Sequence, residues 1–263
     1  MNFSRFRAFV SVSALALASS AHASGSADSS LVSVSGGIAE PSTTTAVFQN
    51  PAGLAEIKRT ALNTHAFFPE SAFKDGEYGG GILYGKGSGF GLTAGATYAP
   101  TPSASRAYYG LAVASQALHL SLGAAGFTPI SPSGDSTFNL GVSIEPSPGV
   151  RLAATARDVS SGPDEYGVGL AVSASNDVDL VGDATFDGDY KRPAVSPGIR
   201  VGSQQAALTV SYGFRLDSKT SFHSEEIREG VALAGGIRLG TSANLQVYYN
   251  QMSKYGATLS FDL

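Results

Sequence analysis

The end of this 263-residue chain alternates without a break. Tyr255, Ala257, Leu259, Phe261 and Leu263 fall on one face, and Gly256, Thr258, Ser260 and Asp262 on the other. A repeat of two is the repeat of an extended strand, whose successive side chains point to opposite sides. A strand that is apolar on one side and small or polar on the other fits a half-covered sheet in water. It equally fits the wall of a membrane barrel, with its apolar face to lipid and its polar face to the lumen.

The amino-terminal residues favour the second setting. Arg5 and Arg7 precede an apolar run from Ala8 to Ala18, and Ala21-His22-Ala23 supplies a small-x-small cleavage site. These are the three regions of an export signal, assigned here to residues 1–23, with an apolar run too short to span a bilayer as a helix. The chain has no Cys, which excludes a disulfide framework and thiolate metal sites. Its formal net charge is −4, and no basic patch points to nucleic acid. The 32 glycines, with 14 Phe and 11 Tyr, suit a barrel of small lumen residues and interfacial rings.

From about residue 60 the alternation recurs in segment after segment. Phe90, Leu92, Ala94, Ala96 and Tyr98 oppose Gly91, Thr93, Gly95 and Thr97; Phe138, Leu140, Val142 and Ile144 oppose Asn139, Gly141, Ser143 and Glu145. Leu118, Leu120 and Leu122 are read as opposing His119, Ser121 and Gly123 in the same way. The count is about fourteen strands, each near the nine to eleven residues that a tilted membrane strand needs. The connections sort by side. Those after even-numbered strands are short, such as Gly87-Ser88, Pro146-Ser147 and Thr241-Ser242, and those after odd-numbered strands are longer, such as 68–76 and 217–228. The expected fold is all-β: a membrane-spanning antiparallel up-and-down barrel over residues 60–263. Residues 24–59 form a short plug inside its lumen.

Within that plug, Asn50-Pro51-Ala52-Gly53-Leu54 is a local device. Asn50 caps a helical turn, and Pro51 sits at the first helical position, where its missing N–H costs nothing. Together with Gly36-Gly37-Ile38-Ala39 and the run Thr44-Thr45-Ala46-Val47-Phe48-Gln49, this motif resembles the plug signature of the FadL/TodX family of outer-membrane transporters. The resemblance implies a fourteen-stranded barrel whose plug shifts on ligand binding. It also implies a cargo of long-chain fatty acids or aromatic hydrocarbons and a lateral exit through the wall. The implied partners are outer-membrane lipid, a small hydrophobic ligand and the barrel-assembly machinery, engaged through the C-terminal strand. The implied location is the outer membrane of a Gram-negative bacterium. Two other functions stay open: a scaffold or shuttle for secreted or surface proteins, and a general diffusion porin.

The charges are expected in the lumen, because a charge facing lipid at mid-depth costs about 2–4 kcal/mol. Glu145, Arg151, Arg157, Asp179, Asp183, Arg200, Arg215 and Arg238 form this set, with Asp187 on the Asp179 face. They read first as a salt-bridged wall and second as groups that hold the plug or steer solutes. Signals for chemistry are poor. Ser71-Ala72-Phe73-Lys74 lacks the helix and partner motifs that a Ser-x-x-Lys nucleophile needs. Gly85-Lys86-Gly87-Ser88-Gly89 lacks the strand-loop-helix context of a phosphate loop. His119, His223-Ser224-Glu225 and Asp187-Gly188-Asp189 each offer too few groups for a nucleophilic or metal site. No residue is assigned to catalysis, to a cofactor or to a metal.

Overall fold

In the computed structural model, fourteen antiparallel strands close into a barrel in which every strand pairs with its neighbours in sequence and β1 pairs with β14. The structure describes residues 37–42, 44–69, 76–87, 89–100, 105–130, 134–160, 162–203, 205–216, 229–250 and 254–263. The expected export signal and the first part of the expected plug lie outside them, as do Ser71–Lys74 and His223–Glu225. The strands are β1 Ala61–Pro69, β2 Glu77–Gly85, β3 Phe90–Tyr98, β4 Arg106–Ser115, β5 Leu120–Pro129, β6 Thr137–Ser147 and β7 Val150–Arg157. The wall continues through β8 Glu165–Ser175, β9 Val178–Asp187, β10 Ala194–Gly202, β11 Ala206–Arg215, β12 Gly230–Leu239, β13 Ala243–Asn250 and β14 Lys254–Asp262.

The alternation decides which side chain goes where. Leu62, Ile82, Leu111, Leu140, Ile199 and Leu233 stand exposed on the outside of the wall, while Asn63, Thr93, Ser143, Thr155, Thr209 and Thr258 are buried on the inside. A greasy exterior over a fully paired ladder is the arrangement a bilayer demands, since closure leaves no edge of unpaired N–H and C=O groups in hydrocarbon. Tyr78, Tyr98, Phe138, Tyr212 and Tyr255 form an exposed aromatic band. All of them lie toward the rim that carries the longer connections, such as 70–76 and 216–229. The opposite rim carries tight turns, among them Pro148-Gly149 and Asn176-Asp177, together with the start of β1 and the end of β14. In membrane barrels the short-turn rim is periplasmic and the long-loop rim extracellular.

Two expectations about local register are corrected. The turn after β6 is Pro148-Gly149, and the residues expected to form it, Pro146-Ser147, belong instead to a bulge between Ile144 and Ser147. A proline has no ladder donor and is tolerated at a bulge, and Gly149 supplies the φ of 75° that the tight turn needs. Strand β5 begins at Leu120, so Leu118 and His119 lie in the turn and are exposed. The register explains the shift: β4 pairs with β5 from Arg106↔Pro129 to Ser115↔Leu120, which leaves 116–119 as the connection. His119 therefore does not face the lumen. Its carbonyl accepts the Glu145 amide at 2.9 Å.

The closing seam carries Leu62, Tyr255 and Phe261 on its outside. Phe261 is 44% exposed and lies opposite Leu62 of β1 and Ala243 of β13. Arg59 clasps Asp262 at 2.7 Å beyond the end of the ladder. Replacing Phe261 by Ala removes one aromatic cross-strand pair, worth about 0.5–1 kcal/mol. It should lower the folded fraction, read as less of the fast-migrating species in unheated gels.

Candidate functional site

Residues 37–42 and 44–57 lie inside the barrel and cross it. They form one short helix, α1 (Ala46–Gln49), followed by a 3-10 turn at Pro51–Glu56. Asn50 joins the two. Its side chain accepts the Ala52 amide at 3.1 Å and donates to the Ile38 carbonyl at 2.9 Å, and the residue is fully buried. It both caps the 3-10 turn and folds residues 37–39 back against it. Pro51, Ala52, Gly53 and Leu54 follow, all buried, and Leu54 and Ile57 present an apolar edge to the wall.

This close approach depends on glycines at the inward positions of consecutive strands. A Cβ at Gly91 of β3 would run into the Leu54 carbonyl, one at Gly123 of β5 into the Pro51 backbone, and one at Gly141 of β6 into the Asn50 side chain. A Cβ at Gly110 of β4 would come within 2.8 Å of Leu54 Cδ1. Backbone therefore packs on backbone at β3 and β5, and side chains of the segment fill the space at β4 and β6. Farther round, Ile38 occupies the space above Gly167 and Gly169 of β8.

The far side of the segment is held by charge and hydrogen bonds. Arg200 of β10 donates from Nη2 to Asp179 of β9 at 2.6 Å and forms an ion pair with Glu40 of the segment, also at 2.6 Å. Arg151 of β7 pairs with Glu56 at 2.8 Å, and the Ile38 amide donates to Asp183 at 3.0 Å. Burial pushes the Glu40 carboxyl above its ordinary range, with the Arg200 and Arg151 guanidiniums opposing the shift. Thr44 donates to Gln246 of β13 at 3.2 Å, and Tyr248 donates to the same amide oxygen. The segment thus touches β3–β10 and β13 and spans the lumen at that level.

The remaining charges take other posts. Arg157 pairs with Glu165 at 3.5 Å and donates to the Gln49 carbonyl at 3.4 Å, so it too grips the segment. Glu145 sits in the β6 bulge, where its carboxylate accepts the Gly149 amide at 3.2 Å. Arg238 lines the short-turn mouth and donates to the Thr241 carbonyl at 3.0 Å. Arg215 is half-buried at the long-loop end of β11, across from Ala194, and Asp187 pairs with Arg192 in the β9–β10 turn. Sequence reasoning missed Glu40 and Glu56, because a segment without periodicity carries no phase from which to read direction.

The two sides of the bar differ in chemistry. Toward the long-loop rim, Phe48 of α1 meets Tyr108, His65 and Phe127 with ring centroids 5.1, 5.7 and 5.8 Å away. Phe67 extends the cluster from His65 at 5.5 Å, and Tyr248 lies 6.4 Å beyond it. His65 is steadied by Thr97, 3.0 Å from Nε2. Toward the short-turn rim lies a cavity of about 220 Å³ lined by charge, including Glu40, Glu56, Arg151, Asp179, Arg200 and Arg238. An aromatic collar faces one way and a balanced set of ions faces the other. The sequence signal for the collar was present but unused: His65, Phe67 and Tyr108 occupy inward positions where small residues are the rule.

No protein-family model matches the chain, and no curated protein matches it. Among solved structures, the toluene transporter TodX of Pseudomonas putida superposes with a TM-score of 0.61 at 9% identity, over 88% of this chain and 96% of that one. A FadL homologue of Pseudomonas aeruginosa gives 0.51 at 11% identity, over 86% and 96%. The outer-membrane protein Omp33 of Acinetobacter baumannii gives 0.51 at 9%, over 80% and 100%. At these identities the likeness is one of fold, and the fold is that of outer-membrane barrels.

Two substitutions separate the two kinds of grip. Gly123→Val sets a branched side chain against the Pro51 backbone, at a cost of about 1–3 kcal/mol or more. Arg200→Ala leaves Glu40 and Asp179 facing each other at about 1–3 kcal/mol, less than for a fully buried pair because the three side chains keep 14–21% exposure. Each variant should conduct in planar bilayers where the wild type stays mostly closed, while keeping the heat-modifiable mobility of an intact barrel. A wild type that already conducts as much as the variants would mean that the segment does not bar the lumen.

Proposed function

We propose that the protein is an outer-membrane transporter that passes small hydrophobic molecules, of the size of aromatic hydrocarbons or fatty acids, inward across the outer membrane. The observation that carries this reading is a barred lumen with an aromatic collar on the outer side of the bar. An open, ion-lined pore would serve polar solutes without a collar, and a bar would only obstruct it. A ligand ring with roughly 150 Å² of surface, removed from water at about 25 cal/mol per Å², gains about 4 kcal/mol, or a Kd near 1 mM. Such loose capture suits a conduit, where a ligand has to leave as readily as it enters. Passage then requires the segment 37–57 to give way, with Asn50, Pro51 and Ala52 keeping its shape and Phe48 marking its outer face. The export signal over 1–23 belongs to the same reading, as does insertion through the C-terminal strand.

The likeness to a toluene transporter and to a FadL homologue supports the choice of cargo class over a diffusion porin or a scaffold for secreted proteins. The test is uptake of labelled toluene and labelled long-chain fatty acid by a deletion strain, with and without the gene restored. Uptake of at least one of the two should fall several-fold in the deletion and return on complementation. Unchanged uptake of both would sink the reading, and a stoichiometric secreted protein co-purifying with the barrel would favour the scaffold.

A further inference from the structure

In the aromatic collar, Phe48 is the ring that comes from the segment, whereas Tyr108, Phe127 and His65 come from the wall. It is only partly buried, while Tyr108, Phe127 and His65 are buried around it. Its contacts with His65 and Tyr108 are edge-to-face, at interplanar angles of 78° and 63°. That is a geometry in which aromatic rings attract without any covalent constraint. A ring seated in this way, on the element that has to give way for passage, fills the place of a ligand.

The wall of that seat is more polar than its occupant. Tyr108 lies across two glycines: a Cβ at Gly95 of β3 or at Gly81 of β2 would run into its hydroxyl. The hydroxyl ends beside Asn63 of β1, the residue paired with Gly81. Asn63 and His65 are successive inward residues of β1, 2% and 5% exposed. Thr97 stands 3.0 Å from His65 Nε2, but His65 Nδ1 and Asn63 Oδ1 have no hydrogen-bond partner among the described residues. Buried polar atoms are nearly always paired, and bare ones are costly. The Phe48 side chain has no polar atom to offer them. A hydroxyl both donates and accepts, so it can donate to Asn63 Oδ1 and can serve His65 Nδ1 in either tautomer. A carboxylate only accepts, which Asn63 Oδ1 cannot use.

We infer that the Phe48 seat is a binding site for a monocyclic phenol, and that Phe48 holds it at rest in the ligand's place. The ligand ring replaces the Phe48 ring among Tyr108, Phe127 and His65, and its hydroxyl turns to Asn63 and His65. The inference rests on the reading of the collar as the way in for cargo. It narrows that cargo to rings that carry a hydroxyl.

The test empties the seat with Phe48→Ala, which keeps a good helix former in α1. Fluorobenzene and para-fluorophenol are titrated by fluorine NMR against the full-length protein in detergent. The proteins compared are the wild type, Phe48→Ala, and Phe48→Ala combined with Asn63→Leu or with His65→Phe. Phe48→Ala should bind para-fluorophenol several-fold more tightly than the wild type does, and more tightly than it binds fluorobenzene. Both double variants should lose that preference several-fold, because the hydroxyl then has one partner fewer. Phe48→Leu, which opens a smaller gap, should show the same preference at weaker affinity, and it carries the test if Phe48→Ala gives no heat-modifiable barrel. Equal affinity of the wild type and the emptied seat for para-fluorophenol overturns the inference, as does a preference that survives both double variants. Binding of fluorobenzene alone overturns the phenol assignment and leaves the hydrophobic-cargo reading standing. Binding of neither compound overturns both.

Discussion

The close contact of residues 50–57 with the glycines of β3–β6 is the interaction on which the rest depends. Without side chains at Gly91, Gly110, Gly123 and Gly141, the segment reaches the wall itself. From there its other edge comes within reach of Arg151, Arg200 and Gln246 on the opposite side. A single alanine at Gly91, Gly123 or Gly141, where a Cβ would stand 1.8–2.2 Å from the segment, would push it toward the axis and break the register of its ion pairs. The wall and the segment therefore fit as one unit, through thinness of the wall on one side and charge on the other.

This asymmetry gives the lumen its two chambers. Rings gather where Phe48 points toward the long-loop rim, and ions gather where Glu40 and Glu56 point toward the short-turn rim. Ion pairs of this kind, partly open to water, hold without locking. The glycine contact is tight but made of small groups, so it loses little when it parts. On the function proposed above, it is these contacts that would have to part for cargo to pass.

Much of this was legible in the residues, for a physical reason. Lipid on one side and lumen on the other force a repeat of two on every strand, so Phe90 to Tyr98 or Val150 to Arg157 can be read at sight. The same exclusion from lipid sends Arg151, Asp179 and Arg200 inward, and Asn50-Pro51 announces its turn locally. What failed was the turn after β4: the alternation of Leu118 and Leu120 runs on past the strand, and only the pairing of Arg106 with Pro129 reveals it. The collar was hidden for a different reason. His65, Tyr108, Phe127 and Tyr248 come from β1, β4, β5 and β13, and only closure of the barrel brings β13 round to β1. Glu40 and Glu56 sit on a segment with no period at all, so nothing but their partners shows their direction.

Whether cargo passes by moving this segment can be asked directly, because the chain contains no Cys. Val47 Cγ2 lies 3.2 Å from where a Cβ at Gly110 would stand, close to the roughly 3 Å that separates a Cβ from the far sulfur of a disulfide. With Val47→Cys and Gly110→Cys introduced together, uptake of labelled hydrophobic cargo is measured in cells kept oxidised and then reduced. Locked to the wall, the barrel should fall to the level of the deletion strain, and reduction should restore uptake. Equal uptake in the two states would contradict a moving bar as the route of transport.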